Sequence, residues 1–324
     1  MYSLKELIEL IDAEIKGLKL PESPVLLYTP ITHTLDSGGK RIRPALVLAA
    51  CNLFSDSVVN AIPSALAVEL FHNFTLIHDD IMDNAPLRRN RPTVFKQWGQ
   101  NVAILSGDAL CILAYQQLAK TDVALLRKIF PIFNGIALNI CEGQQMDMDF
   151  ETAPFVTQEE YLRMIELKTA ALLKGSLQIG GTIGGGSAQD IINLGEFGLN
   201  LGIAFQLQDD LLDAYGDLNV FGKQIGNDIV TNKKTFLAIK ALSVAKGHTL
   251  ELLRGYFNAR DIEPGKKIAG VKNIYNELGI DKITENIILE YHNRALVAFD
   301  KINVKDDRKD ILLSIAQTIM GRTS

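Results

Sequence analysis

Leu199-Asn200-Leu201-Gly202-Ile203-Ala204-Phe205-Gln206-Leu207-Gln208-Asp209-Asp210-Leu211-Leu212-Asp213 decides how this chain folds. From Leu199 to Leu212 apolar residues fall nearly all round a helix, the mark of a helix buried at the centre of a bundle. It closes on an acidic pattern. The stretch Ser64 to Ile81 behaves likewise and closes on a second copy, Asp79-Asp80-Ile81-Met82-Asp83. Each helical residue turns by about 100°, so Asp79 and Asp83 lie about 40° apart, one turn above the other, as do Asp209 and Asp213. Two such faces supply hard carboxylate oxygens without a neutralising protein charge. Mg²⁺ suits them, because it takes a few carboxylates, keeps several waters and fills its remaining sites with phosphate oxygens. The reading is a metal-dependent diphosphate site at one end of a helical bundle.

The rest of the chain agrees. Most segments between prolines and glycines are long and show helical periodicity, and alternating strand patterns are scarce. Thr157-x-x-Glu160 is a capping box opening a helix with apolar positions Tyr161, Leu162, Ile165, Leu172 and Leu173, and Ser187-x-x-Asp190 opens another. A helical hairpin interrupted by Pro264-Gly265 and helices over 283–319 complete the bundle. The expected fold is therefore all-α, one domain spanning residues 1–324.

Composition excludes several classes. At 324 residues, 47% hydrophobic and 22% charged, the chain has ample core, and a net charge of −5 argues against a nucleic-acid surface. No apolar run reaches a membrane-spanning length, and Asp12, Glu14 and Lys16 rule out reading the N-terminus as a signal peptide. Cys51, Cys111 and Cys141 lack CxxC spacing and read as buried, reduced thiols of a cytoplasmic protein.

Three polar stretches carry cations. Pro86-Leu87-Arg88-Arg89-Asn90-Arg91-Pro92-Thr93 follows the first acidic pattern directly, and guanidinium groups beside aspartates imply an anion between them. Ala214 to Thr235 holds Lys223, Lys233 and Lys234 with few apolar residues, and reads as a lid closing over phosphate. In Ser37-Gly38-Gly39-Lys40-Arg41-Ile42-Arg43-Pro44 two glycines let Lys40 and Arg43 converge on one oxyanion.

Taken in order, Gly-Gly-Lys-Arg-Ile-Arg-Pro, Leu-Ile-His-Asp-Asp-Ile-Met-Asp with Leu-Arg-Arg after it, Leu-Lys-Thr-Ala, Phe-Gln-Leu-Gln-Asp-Asp-Leu-Leu-Asp, and Asp-Ile-Val-Thr-Asn-Lys-Lys-Thr resemble the trans-isoprenyl diphosphate synthases, or polyprenyl synthetases, over residues 30–240. That resemblance implies a large helical bundle of the isoprenoid synthase type with a central active-site cavity. It implies a homodimer that joins isopentenyl diphosphate to an allylic diphosphate with three Mg²⁺ ions. Asp79, Asp83 and Asp209 would bind metal, with Asp80, Asp210 and Asp213 behind them or acting through water. Arg88, Lys168 and Lys233, with Lys223 in the closing loop, would grip the allylic diphosphate, and Asp147 would lie beside it. Lys40, Arg43, His72 and Arg89 would hold isopentenyl diphosphate. The Lys168 carbonyl, Thr169 and Gln206 would offer partial negative charge to an allylic cation. Phe74 with Thr75 after it resembles the C20-forming type, although an ideal helix puts Thr75 nearer the metal face; a C15 product is the alternative.

Other readings fit less well. A class I terpene cyclase lacks the second Asp-Asp-x-x-Asp, a non-catalytic regulatory subunit would have lost one pattern, and a plain interaction protein gives no reason for the cations. Glu69-x-x-His72 resembles half of a di-iron site, but no second copy exists. Gly180 to Gly186 invites a phosphate-loop reading, yet close helix packing followed by a turn fits better.

Overall fold

The computed structural model describes residues 2–216, 226–259 and 262–320. The described residues are all-α, apart from a hairpin of two-residue strands, Leu87–Arg88 and Arg91–Pro92, paired antiparallel. They gather into two compact units, one from the described residues within 1–134, 175–194 and 302–315, the other from those within 135–174, 195–301 and 316–324.

The first unit is built around Ile42–Phe54 and Ile62–Met82, whose facing residues, Ala45 to Ala50 and Ala65 to Phe71, are almost wholly buried. Leu7, Ile11 and Ile31 from the helices Leu4–Lys16 and Val25–Leu35 complete that core. Each such Leu, Ile or Phe contributes roughly 1.5–3 kcal/mol by leaving water. The glycine run serves close packing, as expected: a Cβ on Gly180 would lie 2.0 Å from Val47 O and one on Gly184 2.5 Å from Cys51 O, and Gly185 turns the chain at φ +89°. Ser187 then caps the next helix with Asp190, which also accepts from Asn303 N at 2.8 Å.

In the second unit Phe150, Tyr161, Ile203, Leu207 and Phe236 form one apolar cluster, and Leu237, Leu253, Val271 and Tyr275 belong to another. The helix Ala188–Tyr215 is buried around Leu201 to Ala204, as its sequence demands. Thr157 caps Gln158–Ile165 with a complete capping box. The helix does not run straight on through Leu173, however. Glu166–Ala170 is a π turn in which Ala171 N–H reaches Glu166 O, five residues back, before α geometry resumes at Ala171–Gly184.

One expectation needs correction. Cys51 is buried, but Cys111 is only partly so and Cys141 is exposed, because Cys141 falls on an outward face of Val123–Thr152. The same helix is long and apolar enough to cross a membrane by length and composition only, which does not show a membrane span. Arg127, Lys128, Glu142 and Asp147 interrupt it, so its longest uncharged stretch falls short of a membrane span.

Gly180→Ala should lower the free energy of unfolding by about 1–3 kcal/mol in urea titrations, because the intruding methyl meets backbone that has no rotamer to change. Unchanged stability would show that the Val47 carbonyl yields.

Candidate active site

The helix Ile62–Met82 ends where its first acidic pattern ends: Asp83 is the C-cap, its N–H bonding Asp79 O and Ile81 O. Three carboxylates thus stand at the negative pole of a helix with no basic residue in its last turn, an arrangement that a cation offsets. The pattern divides its labour. Asp79 is half-buried and Asp83 exposed, whereas Asp80 is buried and accepts from Arg88 Nε at 2.7 Å. Burial pushes the Asp80 carboxyl up to about 6; Arg88 opposes that, and Asp79 and Asp83 reinforce it.

Arg88 stands on the hairpin, whose turn residues Arg89 and Asn90 both take left-handed φ, 53° and 61°, as a tight two-residue turn requires. Arg89 Nη1 donates to Ser37 Oγ at 3.2 Å and to Gly38 O. A side chain on Gly39 would meet that guanidinium, its Cβ 2.9 Å from Nη2. Arg43 Nη1 donates to His72 Nε2 at 3.2 Å. Burial and the charges of Arg43, Arg89, Arg88 and Arg41 depress the His72 imidazolium well below its ordinary range, so the ring is neutral and accepts. Arg43, Arg88 and Arg89 are therefore one cationic cluster around the neutral His72, with Lys40 exposed on the adjoining loop.

Sequence reasoning missed the residue that holds this loop. Arg41, left-handed at φ 47° and buried, donates to Asp12 at 3.0 Å, Glu69 at 2.7 Å and Leu35 O at 2.9 Å. Glu69 also accepts from Asn73 at 3.0 Å. This accounts for the carboxylate of Glu69-x-x-His72 without iron. The signal was the acidic residue inside an apolar helix, which needs a charged partner.

The second pattern repeats the division. Asp210 is buried, accepts from Tyr161 OH and from Gln206 Nε2 at 3.1 Å, and is pushed up to about 7 by burial and by Asp228, against Tyr161, Gln206 and Lys233. Asp213 accepts from Asp228 N at 3.0 Å. Asp209 and Asp213 are partly exposed. Lys168 Nζ meets Asp147 at 2.6 Å, and Thr169 Oγ1 donates to Gln206 at 3.0 Å. Burial works to raise Asp147, yet Lys233 and Lys168 hold it below the usual carboxylate range. A cavity is lined by Asp210, Asp213, Asp228, Lys233, Thr235 and Tyr275.

Lys233 sits in a loop tied down from beneath: buried Lys267 donates to Val230 O at 3.0 Å and to Asn232 Oδ1 at 2.6 Å. Lys234 faces elsewhere, onto Phe150 O and Glu151 O. Part of the stretch read as a loosely packed lid is thus structured: Ala214 and Tyr215 finish a helix, and Asn227–Val230 forms another with Ile229 buried. Lys223 and the remainder, 217–225, lie outside the described residues. Asp228 and Lys267 escaped the sequence reading, although Asp228 stood inside a quoted motif, and Tyr161 was read there only as an apolar packing position.

Among the described residues no three His, Cys, Asp or Glu side chains gather closely enough to hold an ion by themselves. The carboxylates spaced one turn apart fit Mg²⁺ nonetheless, since that ion takes one or two carboxylates and completes its shell with water and phosphate oxygens.

The family model for polyprenyl synthetase matches residues 24–278. A geranylgeranyl diphosphate synthase of Methanosarcina mazei is 37% identical over 317 residues, 96% of this chain and 94% of that protein. A short chain isoprenyl diphosphate synthase of Methanocaldococcus jannaschii is 38% identical over 323 residues, 98% of this chain and 95% of its own. A crystal structure of a geranylgeranyl pyrophosphate synthase superposes with a TM-score of 0.95 at 39% identity, over 100% of both chains.

A neutral His72 makes the fold sensitive to acid. With its pKa depressed on folding, its contribution is complete above the unfolded value near 6.5 and is lost as pH falls, at most about 1.4 kcal/mol per pH unit. Urea titrations between pH 7 and 5 should show His72→Gln losing less stability than the parent; an identical slope would mean the ring is charged in the fold.

Proposed function

The chain belongs to the polyprenyl synthetase family, and from that premise we propose that it is a prenyltransferase joining isopentenyl diphosphate to dimethylallyl, geranyl and farnesyl diphosphates, with C20 geranylgeranyl diphosphate as product. The observation that carries the reading is the repeated division of the acidic patterns: Asp80 and Asp210 are held inside by protein partners, while Asp79, Asp83 and Asp209 keep more exposed positions.

Asp79, Asp83 and Asp209 would hold Mg²⁺, three ions with substrate bound, and Asp80, Asp210 and Asp213 would orient them. Bound Mg²⁺ would supply neutralisation of the charge that develops on the departing diphosphate. Arg88, Lys168 and Lys233, with Lys223, grip the allylic diphosphate, and Lys40, Arg43, His72 and Arg89 grip isopentenyl diphosphate. A neutral His72 suits that role, since it accepts from Arg43 and so fixes the guanidinium beside it. The allylic C–O bond breaks with its electron pair leaving on the diphosphate. The Lys168 carbonyl, the Thr169 hydroxyl and the Gln206 amide oxygen turn negative ends toward the resulting cation. The isopentenyl double bond then forms the new C–C bond, and the released diphosphate accepts the proton that is lost.

Phe74 is the proposed floor for the growing chain. Its ring packs on Phe71 and His78, with centroids 5.3 and 4.7 Å away, and Phe71 rests in turn on Phe133. We also propose that the whole chain works as one catalytic domain, in the cytoplasm, and as a homodimer. Leu105 and Ile112, seven residues apart and 61% and 60% exposed, form an apolar stripe that a second copy would cover.

Incubation with labelled isopentenyl diphosphate, each allylic starter and Mg²⁺, followed by chromatography, should give a C20 product that chelation abolishes. Asp79→Ala and Asp209→Ala should each lower turnover by about 10²–10³-fold. No elongation of any starter would refute the reading. Phe74→Ala should shift the product beyond C20, and an unchanged length would move the floor elsewhere.

A further inference from the structure

The turn that carries Lys168 and Thr169 is gripped from two sides by the same arrangement of residues. On Val123–Thr152, a Cβ at Gly143 would lie 2.4 Å from Lys168 N; four residues on, Asp147 takes Lys168 Nζ at 2.6 Å. On Ala188–Tyr215, a Cβ at Gly202 would lie 2.6 Å from Ala170 Cα; four residues on, Gln206 accepts from Thr169 Oγ1 at 3.0 Å. Residues four apart share one helical face, so each helix offers the turn a gap for its backbone and an anchor for a side chain. Gln206 also donates to Asp210 at 3.1 Å, which links the grip to the second acidic pattern.

Neither glycine serves a turn, since both stand inside regular helix. There a glycine costs roughly 1 kcal/mol against alanine, so close approach is what it provides. The segment between them needs support: Ala171 N–H bonds Glu166 O in a π turn, a form seen as single turns and frequently at functional sites. Any side chain at 143 or 202 would push the turn away while the anchors stayed in place.

We infer that Gly143 and Gly202 are positioning residues for the transfer reaction, fixing the π turn so that Lys168 and Thr169 act from one place. The inference rests on the proposed function. Gly143 works through Lys168, a ligand of the allylic diphosphate, and Gly202 through Thr169, which faces the cation.

Steady-state kinetics of Gly143→Ala and Gly202→Ala, with circular dichroism and melting curves alongside, test this. Gly143→Ala should raise KM for the allylic substrate at least 10-fold and leave KM for isopentenyl diphosphate within 2-fold. Gly202→Ala should lower kcat at least 10-fold with both KM values within 3-fold. Folded variants with unchanged constants, or losses falling equally on both substrates, overturn the inference. Should an alanine variant not fold, Asp147→Asn decides, because it introduces no overlap: it should raise the allylic KM selectively, and an unchanged KM overturns the role. Parent protein that elongates nothing refutes the proposed function, whereas active parent with unaffected variants refutes the grip alone.

Discussion

Clustered carboxylates at the C-terminal end of a helix are the constraint from which the rest of this structure follows. Like charges one turn apart repel, and the helix dipole adds its own negative pole. The protein meets the problem the same way twice. Asp80 and Asp210 turn inward, where burial raises their carboxyls to about 6 and 7 and Arg88, Tyr161 and Gln206 satisfy them. No basic residue stands in the last turn of either helix to offset the outer aspartates, and we propose that a divalent cation does so.

The cations fall into two kinds. Arg41 and Lys267 are buried and spend their donors on the protein, fixing the Gly38–Arg43 loop and the Val230–Asn232 loop. Arg43, Arg89 and Lys233 stand on or beside what those anchors fix, and Lys168 stands on the π turn, paired with Asp147. Each has a side chain suited to phosphate oxygens. Fixed loops carrying such groups lower the ordering cost of binding an anion and aim the donors before it arrives.

Much of this was legible in the sequence, for a physical reason in each case. The acidic patterns, both capping boxes and the packing glycines are local signals, set by helix geometry within a few residues. Asp80 and Asp210 differ from their neighbours only in what lies behind them, and no spacing rule carries that. The Arg41–Glu69 pair joins residues far apart in sequence, so only the buried charge hinted at it. The π turn hid because the apolar periodicity on either side of Glu166–Ala170 is ordinary; one extra residue per turn shows only when Ala171 is seen bonding Glu166. Asp228 and Tyr161 gained meaning once their contacts to Asp213 and Asp210 were visible.

The central claim is that the outer aspartates bind metal while the inner ones brace them. A crystal structure of the chain soaked with magnesium and a non-cleavable allylic diphosphate analogue tests it most directly. The account predicts ions coordinated by Asp79, Asp83 and Asp209, with Asp80 still on Arg88 and Asp210 still on Tyr161. An analogue bound with Mg²⁺ away from both patterns, or ions coordinated directly by Asp80 and Asp210, would contradict it.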